Sequence, residues 1–371
     1  MPALLVVGAG GSIGSEVLSY FGRLPGWHVY GLSRRPPVLD EDVQFQHLRI
    51  DLESTESCAT AVAALRPVVT HVVYAALVEA PGLVDGWTDA NIMQRNLAML
   101  RNVVEPIAAG GSLQHLIAMQ GTKAYGAHFH AISLPARERS ARDPHANFYW
   151  LQEDYIRDLS VRTGCVWTIF RPQVVFSGAV GMYMNPIPVI GAYAALCAEE
   201  GRPCGFPGSA SNVWEVTDAR LIARACAWAF EHNTREDRIF NITNGDVWVI
   251  AHQWPALCAM LGVEPGPNAR FDFADFVAAK SALWQRVIRR HNLRPSTLAD
   301  FLGESHNYLN LLLGNTASVQ APPALVSTIK IRQSGFGDCL DTDDSAAHWF
   351  TYLQRHRWLP PARLHRQAVL V

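Results

Sequence analysis

The 371-residue sequence is poor in charge and especially poor in lysine. Asp, Glu, Lys and Arg together make up 17% of the residues, the formal net charge is -2, and lysine occurs at Lys123, Lys280 and Lys330. Binding to nucleic acid depends on clustered Lys and Arg that neutralise phosphates, so the lack of any basic run argues against a nucleic-acid partner. The expected partner is a small molecule.

Long apolar runs and paired cysteine motifs are also missing. No stretch approaches the roughly 20 apolar residues that cross a bilayer, and the seven cysteines show no C-x-x-C spacing. Neither a zinc pattern nor a disulfide framework is therefore indicated. The apolar start, MPALLVVGAG, has no basic segment before it, which predicts a buried strand and not a signal peptide. We expect a cytoplasmic protein with no membrane partner. A homodimer is one assembly that the sequence leaves open.

Histidine is plentiful, but its spacing does not match a metal site. Among the 14 histidines, His128 and His130 form the nearest pair, and no third ligand follows at helical spacing. The sequence therefore predicts an exposed loop at this pair and no metal ion.

Strand-like and helix-like segments alternate through the first 175 residues. Short apolar runs at 3–8, 27–35, 46–52, 69–77, 113–121 and 166–172 are separated by segments with apolar residues at helical spacing. This alternation predicts an α/β fold with a doubly wound parallel sheet of the Rossmann type. We expect a cofactor-binding core at 1–175 with a return segment at about 212–250, and a mostly helical substrate-binding cap at 176–211 and 251–371.

A glycine-rich loop, VVGAGGSIG, follows the first predicted strand and places Gly8, Gly11 and Gly14 at G-x-x-G-x-x-G spacing. Glycines at these positions allow a tight turn and let backbone N–H groups and a helix N-terminus approach a pyrophosphate. Two alternatives are a turn without a ligand and the nucleophile elbow G-x-S-x-G at 10–14. In hydrolases the elbow follows several strands, so the sequence favours dinucleotide binding.

The end of the second predicted strand indicates which dinucleotide binds. An NAD enzyme carries Asp or Glu there, whereas this chain has Ser33, Arg34 and Arg35. Arginine side chains suit a 2′-phosphate, and a serine hydroxyl can donate to it. The sequence therefore predicts NADPH, with Asp51 and Leu52 placed beside the adenine. The alternative is that the two arginines only solvate a strand end.

The tyrosine and lysine of short-chain dehydrogenases do not share a helix in this chain. Those enzymes carry the two residues four positions apart, but the residue four after Tyr149 is Glu153. Lys123 follows the fifth predicted strand, and the carboxyl ends of strands build the site in a doubly wound sheet. From the residues alone, Lys123 is either the displaced catalytic cation or a solvated loop lysine.

Together these motifs resemble the progesterone 5β-reductase and iridoid synthase type reductases, atypical members of the short-chain dehydrogenase/reductase superfamily. The similar segments are GAGGSIG, SRRP, QGTKAYG, NFYWLQED, FRPQVVFSG, AALCAEEGRPCGFPG, FNITNGDVW, GFGDCLDTDDSA and WFTYLQRHRWLP. They span nearly the whole chain. The resemblance implies that Lys123 and Tyr149 are the active-site pair. Trp150 stands where many plant members have a second tyrosine, which leaves Tyr149 as the hydroxyl of this motif.

The resemblance further implies an NADPH-dependent enzyme that reduces the C=C bond of an α,β-unsaturated carbonyl, such as a steroid-like or terpenoid-like enone or enal. Hydride addition to the β-carbon places charge on the carbonyl oxygen, which Tyr149 and Lys123 would stabilise as an enolate. The same pair suits carbonyl reduction, so a carbonyl reductase, a nucleotide-sugar epimerase and a non-catalytic NADPH sensor stay open as alternatives.

The predicted sites are larger than the catalytic pair. The predicted cofactor contacts are Gly8, Gly11, Ser12, Ile13, Gly14, Ser33, Arg34, Arg35, Asp51, Leu52, Ala75, Gln120, Lys123, Tyr149, Pro172 and Val174. The predicted substrate contacts are Phe176, Met182, Tyr183, Met184, Trp214 and Phe336, for each of which core packing is the alternative.

Overall fold

The apolar run near the start of the chain forms the strand β1 (Ala3–Val7), and all five of its residues are buried. A strand without an exposed side belongs in a sheet that is covered on both faces. The computed structural model describes residues 1–208, 213–232, 238–315 and 323–362.

The remaining strands are short. In chain order they are β2 (His28–Ser33), β3 (Gln46–Arg49), β4 (His71–Tyr74), β5 (His115–Met119), β6 (Val166–Pro172), β7 (Val174–Phe176), β8 (Cys204–Gly205), β9 (Val213–Trp214), β10 (Val216–Asp218), β11 (Ile239–Ile242), β12 (Trp248–Val249) and β13 (Pro265–Gly266).

Helices alternate with the strands up to β6 and predominate later in the chain. They are α1 (Gly14–Phe21), α2 (Thr55–Val62), α3 (Ala90–Ala108), α4 (Phe148–Thr163), α5 (Pro186–Glu200), α6 (Ala219–Glu231), α7 (Ile250–Leu261), α8 (Phe273–His291), α9 (Leu298–Leu302), α10 (Ser305–Leu312), α11 (Ile329–Gln333) and α12 (Thr342–Arg355).

The chain divides into two compact units. Unit 1 comprises Met1–Gln173, Thr217–Thr243 and Ala324–Cys339, and unit 2 comprises Val174–Val216, Asn244–Pro323 and Leu340–Val371. The predicted change of domain between 211 and 212 lies outside the described residues.

Unit 1 contains a seven-stranded sheet with the order β11-β6-β5-β4-β1-β2-β3. Every neighbouring pair is parallel. The predicted doubly wound Rossmann sheet is therefore confirmed. The strand order reverses between β1 and β4, which are hydrogen-bonded neighbours with Val7 opposite Tyr74. Ligands of such sheets bind at the carboxyl ends of the strands beside this reversal.

Polar residues mark the starts of several helices. The side chains of Ser54, Asp89, Asn147 and Asp218 accept hydrogen bonds from backbone amides in the first turns of α2, α3, α4 and α6. Such caps satisfy amides that have no partner within the helix. Helix α4 ends at Gly164, whose φ of 74° suits a glycine. These local signals fix where the helix that carries Tyr149 begins and ends.

Unit 2 is mostly helical, as predicted for the segments after residue 175. Asn185 caps α5, Pro186 occupies its first turn, and Gly201 ends it with a φ of 69°. An aromatic cluster packs around the buried ring of Tyr193, whose neighbours are Trp254, Phe271, Phe273 and Phe276. Among the described residues, no helix has both the length and the apolar character that a membrane crossing requires.

Candidate active site at the carboxyl ends of the strands

The glycine loop connects β1 to α1 in a conformation that requires glycine. Gly8 has a φ of 87°, and a β-carbon at this residue would lie 2.8 Å from the carbonyl carbon of Ala75, just after β4. A β-carbon at Gly14 would collide with the carbonyl oxygen of Gly8. Helix α1 begins at Gly14, and Ile13, which follows Ser12, provides no side-chain cap. Strand end, loop and uncapped helix form a cradle that fits the pyrophosphate of a dinucleotide.

The end of β2 lies against the same loop. A β-carbon at Gly10 would lie 3.4 Å from the carbonyl oxygen of Arg35 and 3.7 Å from Oγ of Ser33. The side chains of Arg34 and Arg35 are exposed, so they can reach a ligand in the loop. The Ser33 hydroxyl donates to the carbonyl of Arg35 at 2.6 Å and lies 3.0 Å from Nε2 of His47. If the Ser33 hydroxyl donated to a phosphate, as predicted, this bond would replace its bond to the carbonyl of Arg35.

The residues after β3 and β4 differ in exposure. Asp51 is exposed, and its Oδ1 accepts from the backbone amide of Glu53 at 3.1 Å. Leu52 is only 9% exposed and packs in the core of unit 1, which leaves little of its side chain for an adenine. The amide of Ala75 donates to the carbonyl of Val7 at 2.9 Å, which places Ala75 at the reversal of strand order.

Lys123 follows β5, and its ammonium group is held inside unit 1. Nζ donates to Oε1 of Glu79 at 2.8 Å and lies 4.1 Å from the ring centroid of Trp87. The lysine side chain is 12% exposed and that of Glu79 only 1%. Burial lowers the pKa of Lys123, while the charge and the hydrogen bond of Glu79 act in the opposite direction. Lys123 is therefore not a solvated loop lysine.

Tyr149 lies in the first turn of α4 and is 7% exposed. It belongs to a buried hydrophobic cluster with Met93, Ala124 and Phe148, and Ala124 directly follows Lys123 in the chain. A β-carbon at Gly121 would lie 3.4 Å from the Tyr149 hydroxyl and 3.4 Å from the carbonyl oxygen of Pro172. The structure thus brings the Tyr149 hydroxyl to the segment that carries Lys123.

Asn147 joins the two segments directly. Its Nδ2 donates to the carbonyl of Lys123 at 3.0 Å, and its Oδ1 accepts from the amide of Tyr149 at 3.0 Å. Gln120, at the end of β5, contacts α4 from the other direction, since its side-chain amide lies 3.3 Å from both the carbonyl of Tyr149 and Oε2 of Glu153. Gln120 Oε1 accepts from Nε of Arg171 at 2.8 Å. The side chain of Gln120, a predicted cofactor contact, is therefore bonded within the protein.

The loop at the His128 and His130 pair is only partly as predicted. His130 is exposed, and its Nε2 lies 2.8 Å from Oδ2 of Asp143. His128 is not exposed, because its ring packs against Trp87 at a centroid distance of 5.8 Å. Burial, followed by the positive charge of Lys123, lowers the pKa of His128 to about 3. Among the described residues, no group of three or more potential ligands is arranged to hold a metal ion.

The predicted substrate contacts fall in both units. In unit 2, Phe176 is fully buried and Trp214 is 4% exposed. Both rings pack against Trp248, at centroid distances of 5.7 and 5.8 Å. Phe336 is buried in unit 1 against Trp228. These three rings therefore already have core neighbours.

Three predicted substrate residues keep some exposure. Met182, Tyr183 and Met184 precede α5 in unit 2 and are partly exposed. They are better placed than the three buried rings to offer surface to a ligand, and all six stay predictions as substrate contacts. Val174, a predicted cofactor contact, also belongs to unit 2.

Comparison with protein families shows to which family the chain belongs. The family model described as the NAD dependent epimerase/dehydratase family matches residues 4–243, which is more than half of the sequence. The chain belongs to the NAD dependent epimerase/dehydratase family. A nicotinamide dinucleotide is thus the class of cofactor expected of this family member, and the glycine cradle after β1 fits it.

Curated relatives of this epimerase/dehydratase family member include two plant enzymes. The (S)-8-oxocitronellyl enol synthase of Antirrhinum majus is 28% identical over 317 residues, covering 80% of this chain and 79% of the relative. The 3-oxo-Delta(4,5)-steroid 5-beta-reductase of Arabidopsis thaliana is 28% identical over 321 residues, with the same two coverages. The resemblance predicted from the motifs is confirmed, and so is the prediction of an enzyme.

Solved structures agree at the level of the fold. UDP-glucose 4-epimerase of Thermotoga maritima, determined with UDP-glucose, matches with a TM-score of 0.66 at 14% identity, covering 95% of this chain and 99% of that structure. At this identity the likeness shows the Rossmann fold of the family and nothing about the substrate.

Three residues of this family member near Lys123 were not predicted from the sequence. Glu79 and Trp87 follow β4 and contact the ammonium group, and Asn147 bridges to Tyr149. No motif marks Glu79 or Trp87. Asn147 carries a local signal, since Asn directly before the apolar start of a helix is a common N-cap.

Proposed function

We propose that this protein uses NADPH to reduce the C=C bond of an α,β-unsaturated carbonyl compound, with a steroid-like or terpenoid-like enone or enal as substrate. The observation that carries the proposal is the arrangement after β5. There Lys123 is buried and lies after β5, not on helix α4. Asn147 bonds the carbonyl of Lys123 to the start of that helix, which carries Tyr149.

The names of the two relatives support the choice of a conjugated carbonyl. One name describes a steroid with a 3-oxo group and a 4,5 double bond, and the other describes an enol product. Both correspond to chemistry in which charge develops on a carbonyl oxygen that is conjugated with a C=C bond.

Tyr149 and Lys123 suit the task of stabilising that oxygen. When bound, NADPH would supply the hydride. The Tyr149 hydroxyl would donate a hydrogen bond to the enolate oxygen, and a donor of this kind is worth about 3 to 4 kcal/mol in other enzymes. Glu79 keeps the buried ammonium of Lys123 paired, which favours its charged form although most of the side chain is removed from water.

The preference for NADPH over NADH rests on the end of β2. Arg34 and Arg35 are exposed beside the glycine loop, where a guanidinium group can pair with a 2′-phosphate. In this segment Ser33, Arg34 and Arg35 occupy the place where an NAD enzyme carries an Asp or Glu.

The experiment that tests the proposal combines cofactor oxidation with product analysis. Purified protein is mixed with NADPH and a panel of small enones, enals, steroid enones and saturated ketones, and each product is identified by mass and by its remaining carbonyl. A saturated carbonyl product is expected. An alcohol product would instead indicate a carbonyl reductase, and cofactor binding without turnover of any compound would indicate a sensor.

A further inference from the structure

The side-chain amide of Asn147 makes three hydrogen bonds in the interior of unit 1. Besides donating to the carbonyl of Lys123 and accepting from the amide of Tyr149, its Nδ2 lies 3.1 Å from Nε2 of His145. Asn147 is 5% exposed. Each of the two amide hydrogens therefore has an acceptor, and turning the amide over would break all three bonds.

These bonds determine which nitrogen of His145 carries the proton. Because Asn147 Nδ2 is a donor, Nε2 of His145 must be the acceptor, and the proton of the neutral ring is on Nδ1. Nδ1 lies 2.6 Å from Oδ1 of Asp143, which accepts this proton's hydrogen bond. The pair Asp143 and His145 thus holds the ring in the tautomer that Asn147 requires.

Other charged and titratable groups face this pair. Nε2 of His130 lies within hydrogen-bond distance of Oδ2 of Asp143, and the ring of His128 lies 4.9 Å from that of His145. The charge of Lys123 acts on His128. The rings of Phe129 and Trp150 also lie near, with centroids 5.0 and 6.2 Å from that of His145.

We propose that Asn147 is a positioning residue for the Tyr149 and Lys123 pair, and that the acceptor Nε2 of His145 keeps the Asn147 amide in its working orientation. The inference rests on the proposed function. A donor in place of Nε2 would face the donor Nδ2 of Asn147. Turning the amide to relieve this conflict would place its oxygen against the Lys123 carbonyl and its nitrogen against the Tyr149 amide.

The bridge can be separated from the helix cap with a serine. In Asn147→Ser the hydroxyl still caps α4 by accepting from the helix amide, but it is too short to reach the Lys123 carbonyl. Because small displacements of a catalytic group can reduce rate by up to about a hundredfold, kcat should fall about tenfold or more while NADPH affinity is retained. A kcat equal to that of the wild type would overturn the proposal.

Replacing His145 tests whether Asn147 needs an acceptor at this position. In His145→Gln a side-chain oxygen can accept from Asn147, so kcat should stay within about threefold of the wild type. His145→Ala removes the acceptor and should lower kcat. Equal kcat values for His145→Ala and His145→Gln would refute the role of His145.

Asp272→Ala provides the matched control. Asp272 caps α8 in unit 2 and also bonds Nδ2 of Asn310, so it is another N-cap that bridges two segments. Its loss should lower Tm without changing kcat. A similar loss of kcat in this variant would mean that any weakened cap reduces activity, and the proposal would fail.

A readout without substrate separates this inference from the proposed function. If the wild type reduces no enone, the proposed function fails, but hydrogen exchange still tests the bridge. Asn147→Ser should speed exchange of the backbone amides at 121–127 about tenfold and leave those within α4 unchanged, because the cap survives. Unchanged exchange at 121–127 would contradict the bridge independently of any activity.

Discussion

At the scale of single residues, the pairing of Lys123 with Glu79 decides what the lysine can do. A lysine that is taken out of water tends to lose its proton, because burial destabilises the charged form. The carboxylate 2.8 Å away opposes this loss, and the Trp87 ring faces the ammonium group. Lys123 can therefore remain a cation beside the Tyr149 segment.

Glu79→Gln should leave Lys123 as a buried charge without its counter-ion. Breaking a buried ion pair costs about 3 to 5 kcal/mol in other proteins, so the free energy of unfolding should fall. The pKa of Lys123 should fall as well, which would shift the alkaline limb of the kcat profile to lower pH. The measurements are urea unfolding and kcat against pH.

The double variant Glu79→Gln, Lys123→Met is the control for this change. It removes both charges, so it should recover part of the stability lost in Glu79→Gln, and it should lose activity because Lys123 is absent. If Glu79→Gln leaves both the stability and the alkaline limb unchanged, the carboxylate does not hold the lysine charge.

Tyr149→Phe should remove the donor to the enolate oxygen. The ring keeps its place in the cluster with Met93, Ala124 and Phe148, so NADPH binding should be retained. Loss of one oxyanion donor typically lowers kcat about a hundredfold to a thousandfold. Tyr155→Phe on the same helix is the matched control, because Tyr155 is a buried tyrosine in the core cluster. Normal turnover by Tyr149→Phe would remove this hydroxyl from the mechanism.

At the scale of elements, β1, the glycine loop and the end of β2 come together as the predicted cofactor-binding region. Gly8 and Gly14 allow β1 and α1 to approach closely, and Gly10 faces the backbone of Arg35. A local spacing of three glycines thus brings a helix N-terminus and two arginines to one place.

Arg34→Ala with Arg35→Ala should weaken NADPH binding far more than NADH binding. A 2′-phosphate is the only group that distinguishes the two cofactors, and losing charged hydrogen bonds to it costs about 1.5 to 3 kcal/mol. The measurement is the Kd of each cofactor by fluorescence titration.

The control removes the same charge elsewhere, in Arg289→Ala with Arg290→Ala at the end of α8. This double variant should bind both cofactors like the wild type. An equal effect of the Arg34 and Arg35 changes on NADPH and NADH would contradict the phosphate contact.

At the scale of the whole molecule, buried titratable groups link folding to pH. His115 is 2% exposed in β5, and burial, followed by the charges of Arg238 and His71, lowers its pKa to about 3. Between this value and the ordinary pKa near 6.5, the unfolded chain binds a proton that the folded chain does not. The contribution of His115 to the free energy of unfolding is therefore fully present above pH 6.5 and is lost as the pH falls toward 3.

His115→Gln should flatten the acid side of the stability curve. The wild type should lose about 1.4 kcal/mol more per pH unit than the variant between pH 6.5 and 4.5, as measured by urea unfolding. Burial raises the pKa of Glu16 to about 7, and this shift changes the stability with pH in the direction opposite to that of His115. The difference between the slopes of wild type and variant removes the contribution of Glu16. His28→Gln changes an exposed histidine and should leave the slope unchanged. Identical slopes for wild type and His115→Gln would contradict the prediction.

The sequence allowed much of the fold and part of the site to be predicted. Apolar runs bounded by glycines predicted the strands of the sheet, and the loop at 8–14 predicted a dinucleotide site, because both signals are local. Glu79 was not predicted, since nothing around it distinguishes it from a surface carboxylate. Gln120 stays a prediction as a cofactor contact. The bonds of its side chain to Arg171 and α4 were not predicted, because no local pattern reveals them.

By itself, the sequence determined the order of strands and helices up to β6, the glycine loop with its cofactor class, and the two residue types of the predicted catalytic pair. Only the tertiary structure decided that Lys123 meets Glu79, which is 44 positions away, and that Asn147 ties Lys123 to the helix of Tyr149. The reason is physical: helix and strand formation depend on neighbouring residues, whereas these contacts depend on which strands lie side by side. The pairing of β4 with β5 brings the segments that follow them to one edge of the sheet.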